Sequence, residues 1–176
     1  MKTDNIERYL NSFANQVVRE SKAILKQDKG NTALGQSIKA TVTTEPQGFS
    51  VKFYMADYGT FLDKGVSGNK KQRSFINYKG KNESSPYSYT TKQPPPDILA
   101  KWISKKGIKG RDKKTGRFIS HMSLAFIFGR KIKRDEIKSL SFFQKPLGIN
   151  YKELQETFLK EFKKDISTYI TTFTKN

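Results

Sequence analysis

Residues 53–68, FYMADYGTFLDKGVSG, constrain the fold of this chain more than any other stretch. An alternating strand pattern ends at Ala56-Asp57, passes an aromatic-flanked glycine at Tyr58-Gly59-Thr60, and reaches Gly65 and Gly68 before the sequence turns polar and basic. Glycine adopts backbone angles with φ > 0 that branched residues avoid. The spacing therefore predicts two glycine-bearing corners, with Tyr58, Phe61 and Leu62 supplying apolar contacts beside them. Short regular elements come before this stretch and a long excursion follows it, so its role is read as structural and not catalytic.

Upstream, Ile6, Tyr9, Leu10, Phe13, Val17, Ile24 and Leu25 recur at helical spacing and predict an amphipathic helix from Asp4 to about Gln27. Asp4 with Glu7 has the form of a capping box, and Asp28-Lys29-Gly30 is a stop signal. Ile38, Ala40 and Val42 alternate with polar residues, as do Val51, Phe53 and Met55. Glu45-Pro46-Gln47-Gly48 between them suits a tight turn, giving an antiparallel hairpin with one buried face across which the first helix is expected to lie.

Downstream, residues 67–93 form a basic excursion with Lys70, Lys71, Arg73, Lys79, Lys81 and Lys92 interleaved with Phe75, Tyr78, Tyr87 and Tyr89. Such a loop is expected either to engage a partner or to pack back as a β-excursion. Pro94-Pro95-Pro96-Asp97 opens a short helix with Ile98, Leu99, Trp102 and Ile103 on its apolar face, ending at Gly107. Lys109 to Arg117 reads as an exposed basic hairpin tip or loop able to touch phosphates without reading bases. A helix from Ser120 to about Arg134, through Met122, Leu124, Phe126 and Phe128, is apolar enough to be the buried one. An extended segment closed by Pro146 then leads to a last helix from about Asn150. The run from Ile166 to Phe173 continues that helix or leaves it as a final strand.

Together these elements predict an α+β fold: an antiparallel sheet packed by N-terminal, central and C-terminal helices, in a single domain spanning 1–176. With 35% hydrophobic residues but 13 Phe and 8 Tyr, the core is expected to be small and filled by aromatics, among them Phe53, Trp102, Phe126 and Phe158. The formal charge is +18, and residues 61–150 hold 21 Lys and Arg against 6 Asp and Glu. That field attracts polyanions or an acidic protein surface. No apolar run approaches ~18 residues, so no membrane span or membrane partner is expected, and the start MKTDNIERYL lacks the apolar core of a signal peptide, which suggests synthesis in a cytoplasm.

Cysteine is absent and His121 is the sole histidine, which removes thiol chemistry and zinc-type ligand sets. Asp57 and Asp63 are read as turn acceptors, and the glycines at 65 and 68 lead into polar loop instead of a phosphate-binding helix. These readings predict no enzyme, cofactor or metal.

An N-terminal helix is followed by Leu34-Gly35-Gln36-Ser37-Ile38 opening a hairpin, and Tyr58-Gly59-Thr60-Phe61-Leu62-Asp63-Lys64-Gly65 after its second strand. Next come Ile98-Leu99-Ala100-Lys101-Trp102-Ile103, the helix around Phe126, and Phe142-Phe143-Gln144-Lys145-Pro146-Leu147 before the last helix. This order of pieces resembles the tail-completion and head-tail joining proteins of tailed bacteriophages. The resemblance implies a virion protein of the neck or tail top, made in the bacterial host. It implies a sixfold ring around the DNA passage that contacts portal, connector, tail-tube or other neck proteins in a terminator, stopper or joining role. Tyr58, Gly59, Phe61, Gly65, Trp102, Phe126, Phe143 and Pro146 are its structural positions, and Lys70, Lys71, Arg73, Arg111, Lys113, Lys114 and Arg117 its expected DNA or partner contacts. The rival expectations are a stand-alone basic nucleic-acid-binding protein and a basic toxin or nuclease, the latter opposed by the lack of a metal-ligand or general-base cluster.

Overall fold

In a computed structural model that describes residues 3–45, 47–89 and 91–174, the chain is α+β and groups into two compact units. The first comprises Met1–Gly59, Ile76–Lys81 and Ser141–Asn176, and the second Thr60–Phe75 and Asn82–Leu140. The division at Gly59 and Thr60 falls inside the glycine-bearing stretch.

In the first unit, α1 (Asp4–Lys29) buries Ile6, Leu10, Phe13, Ala14, Val17 and Leu25 against the hairpin β1 (Lys39–Glu45) and β2 (Gly48–Tyr54) and against α6 (Gln144–Phe173). The hairpin register pairs Ala40 with Phe53 and Val42 with Val51, which puts the predicted apolar positions on one face. Phe53 meets Phe13 and Phe143 edge to face, at 6.4 and 5.3 Å between ring centroids. The predicted turn at residues 45–48 includes Pro46, which lies outside the described residues.

The start of α1 differs from the capping-box expectation. Asp4 is already helical and the cap position is Thr3, which provides no side-chain cap. Asp165, far along α6, accepts from the N–H groups of Asn5 (3.2 Å) and Ile6 (3.1 Å) and from Asn5 Nδ2 (2.8 Å). Helix N-termini leave N–H groups without intrahelical acceptors, and here a tertiary carboxylate satisfies two of them. Gly30 ends the helix at φ +72°.

The last helix also starts earlier than the sequence suggests, at Gln144 instead of near Asn150. Pro146 is thus fully buried in its first turn, where a missing N–H costs no intrahelical bond. Asn150 Nδ2 donates to Pro146 O (2.8 Å) and to Glu20 Oε2 (2.9 Å), tying α6 to α1. Residues 76–81 pack on the same first turns: the Tyr78 N–H donates to Gln144 Oε1 (3.0 Å), and its ring meets Tyr151 edge to face at 5.4 Å.

Between these elements, α2 (Ala33–Ser37) buries Leu34, and Gly59 begins α3 (Gly59–Lys64). Of the two predicted corners, only Gly65 has positive φ (+74°); Gly59 is required for space, since a Cβ there would fall 2.9 Å from Leu34 Cδ1 and 2.7 Å from Met55 Sδ.

In the second unit, β3 (Val66–Ser67) pairs antiparallel with β8 (Glu136–Ile137), β4 (Ser74–Ile76) with β5 (Asn82–Ser84), and β6 (Gly110–Arg111) with β7 (Phe118–Ile119). Instead of one continuous sheet, the described residues form two-stranded ladders. Helix α4 (Pro96–Lys105) packs on α5 (His121–Arg134) through Leu99 and Ile103 against Leu124, Ala125 and Phe128. Pro96 at N1 and Ser120 as N-cap, accepting from the Ser123 N–H (3.1 Å), are where the sequence places helix starts.

Two core expectations fail here. Trp102 is 46% and Phe126 45% exposed, while Phe53 and Phe158 are half-buried. Helix α5 is apolar around most of its circumference, yet only the face of Leu124, Ala125 and Gly129 is buried, so Phe126 points away from the contact. The core is mostly aliphatic, with Phe13, Phe75 and Phe142 as its buried aromatics.

Candidate polyanion-binding surface

The hairpin β6–β7 is the most regular carrier of the predicted contact cations. At its base, a Cβ on Gly110 would fall 2.6 Å from Leu124 Cδ2, so glycine lets the strand close onto α5. At its tip, Asp112 Oδ1 accepts from the N–H groups of Lys114 (2.9 Å) and Thr115 (2.8 Å) and from Thr115 Oγ1 (3.0 Å). The Thr115 N–H above all, then its hydroxyl and the Lys114 N–H, hold the Asp112 carboxyl below the usual carboxylate range. Gly116 closes the loop at φ +70°. Arg111, Lys113, Lys114 and Arg117 are all exposed on this ordered tip. The Arg111 guanidinium lies 4.5 Å from the centroid of the Phe118 ring, which is itself 64% exposed.

The other three predicted cations divide into two environments. Lys70 and Lys71 are exposed on a turn that the backbone docks onto the end of α5: the Asn69 N–H donates to Lys133 O (2.8 Å) and the Lys70 N–H to Arg134 O (2.9 Å). A Cβ on Gly68 would lie 2.7 Å from Arg134 O, so only glycine permits this approach. The docking gathers Lys70 and Lys71 with the last-turn cations Lys131, Lys133 and Arg134, a cluster that neither segment reveals by itself because 60 residues separate them. Arg134 is partly neutralised by a two-pronged contact with Asp135 (2.8 Å each), which holds the Asp135 carboxyl low.

Arg73 is less exposed than the other six predicted cations. It is half-buried, its N–H donates to Ser67 Oγ (2.9 Å), Nη1 lies 3.7 Å from Glu136 Oε2, and Nε is sealed from solvent without an acceptor among the described residues. It forms a wall of a polar cleft of about 600 Å³ with Ser67, Gln72, Ser85, Ser88 and Tyr89. Burial pushes the Tyr89 hydroxyl pKa up, so it stays neutral.

The aromatics of the excursion turn inward. Phe75 is buried, with Lys64 Nζ 5.4 Å from its ring centroid, and Tyr87 meets Phe61 at 4.5 Å. Of the two sequence readings of residues 67–93, the packed β-excursion describes these rings.

Exposed cations fixed on an ordered tip set up a positive field of the kind that attracts polyanions. Among the described residues there is no cluster of three or more His, Asp or Glu placed to share a metal ion, and no helix is long and apolar enough to cross a membrane. Comparison of the chain with protein-family models, curated proteins and solved structures finds no match.

Proposed function

We propose that this protein is a non-catalytic structural subunit of the neck or tail top of a tailed bacteriophage. It assembles with copies of itself into a ring, sixfold by the resemblance, that joins the portal or connector to the tail around the DNA passage. The order of short motifs along the chain supports this reading. The observation that carries it is the β6–β7 hairpin, whose four exposed cations sit on a tip tied by Asp112 and Gly116. A fixed array of positive charge without a base-reading helix suits DNA that must slide past, because phosphate contacts carry no sequence information. The inward packing of Phe75 and Tyr87 favours charge over aromatic anchoring as the excursion's means of meeting neighbouring proteins. Electron microscopy of particles carrying the protein tests the assignment: density for a ring of this chain at the head-tail junction is expected, and its absence from the particle overturns the reading.

A second reading, a stand-alone nucleic-acid-binding protein, is favoured by the exposed Arg111–Phe118 pair, a platform of the kind on which unpaired bases stack. Phe118→Ala separates the two. Weaker binding to single strands with unchanged duplex binding supports the stand-alone reading, whereas no preference for single strands supports the conduit.

A further inference from the structure

The polar cleft beside Arg73 is built within the second unit from the segments 67–73, 84–85 and 88–89. Ser67 joins them. Its N–H donates to Tyr87 O (2.8 Å), its carbonyl accepts from the Tyr89 N–H (2.9 Å), and its Oγ accepts from the Arg73 N–H (2.9 Å). The Ser85 N–H in turn donates to Arg73 O (2.8 Å). Walls tied to one another in this way stand preformed before a ligand arrives, and about 600 Å³ falls in the size range of small-molecule sites.

The lining selects the ligand's chemistry. Among the described lining residues Arg73 is the one charged group, and Ser67, Asn69, Gln72, Ser88 and Tyr89 add hydroxyls and amides. With no carboxylate in that lining a cation gains nothing, and an apolar ligand strands the polar groups. The chain itself leaves the guanidinium under-satisfied: Nε has no acceptor among the described residues, and Glu136 Oε2 stands 3.7 Å from Nη1, beyond hydrogen-bond reach. The Arg73 side chain keeps 31% of its surface open, so a ligand meets it without unfolding the unit. A guanidinium presents its N–H donors as a planar fork that matches the oxygens of a phosphate, and the formal charge of +18 draws anions toward the molecule. We propose that this cleft binds the phosphate group of a small ligand, with Arg73 as the cationic anchor, the hydroxyls and amides as further donors, and the rest of the ligand in the remaining volume. The site is separate from the hairpin tip, and neither reading depends on the other.

Equilibrium dialysis of the full chain against radiolabelled inorganic phosphate, in chloride at physiological ionic strength to screen diffuse attraction, tests the site. Uptake is expected to saturate at one phosphate per chain. Ser88 and Gln72 are exposed lining positions, so Ser88→Glu and Gln72→Glu add a repelling charge without disturbing the core. Each is expected to weaken binding on the order of tenfold or more while thermal unfolding stays that of the parent. Arg73→Lys keeps the charge but not the fork, and is expected to weaken binding on the order of tenfold as well. Replacing Arg111, Lys113, Lys114 and Arg117 with glutamine is expected to leave phosphate uptake unchanged. Absent or unsaturable uptake overturns the proposal, as does undiminished binding in both glutamate variants. Loss of uptake with the four tip cations also overturns it, because the phosphate is then held by the surface field and not by the cleft.

Discussion

Asp165 does for α1 what a local cap does elsewhere, from 160 residues away. Asp165→Ala strands two N–H groups at the buried start of that helix and is expected to cost about 1–3 kcal/mol, read as a lower urea midpoint at unchanged m-value. Ser21 is the opposite case, a fully buried hydroxyl with no hydrogen-bond partner among the described residues; Ser21→Ala is expected to leave the midpoint unchanged or raise it. Asp112 links residue chemistry to pH. Its pKa is lower folded than unfolded, so its contribution to hairpin order is complete above the ordinary aspartate value and is lost as pH falls through the depressed one. The Lys114 and Thr115 amide resonances are expected to hold steady down to about pH 4 and then move together on further acidification. A titration at the ordinary aspartate value contradicts this. Asp112 lies four residues from Gly116 within one basic run, so its turn was legible in the sequence, whereas nothing near Asp165 announces its role because its partners are distant.

Helices α4 and α5 meet through a narrow face, and that sets which of their side chains stabilise the second unit. Ile103 is fully buried and Trp102 nearly half exposed, so Ile103→Ala is expected to cost about 2–5 kcal/mol and Trp102→Ala clearly less, although it deletes the larger side chain. Thermal unfolding of the two variants checks the order; the reverse ranking shows that Trp102 is covered in the protein as it assembles. The existence of α1, α4, α5 and the hairpin was legible from periodicity and caps, because the signal is local. Which apolar residues turn inward was not, because α5 offers more apolar surface than α4 covers and sequence alone does not say how much a neighbour covers. The start of α6 was misplaced because Pro146 reads as the close of an extended segment, whereas it lies in the first turn of the helix that begins at Gln144. Proline in the first turn reads equally as the end of an extended segment or the beginning of a helix.

For the molecule as a whole, the charge excess was legible as a count and its distribution over surfaces was not. Replacing Arg111, Lys113, Lys114 and Arg117 with glutamine is expected to reduce the salt dependence of duplex binding by about 0.9 in log–log slope for each phosphate contact removed. Arg73→Gln is expected to leave the slope unchanged and lower stability instead, since its guanidinium sits beside Glu136. An equal effect on the slope from Arg73 overturns the division of the cations into outward and inward groups. The turn that donates its Asn69 and Lys70 N–H groups to the end of α5 also bears on degradation. A protease that cuts after lysine or arginine must draw several residues of extended chain into its cleft, and the GNKKQR segment is tethered at both ends by backbone bonds and by Arg73. Digestion there waits for the unit to open, so the rate of cleavage at Lys70 and Lys71 serves as a clock for opening even though lysine and arginine are abundant throughout the chain.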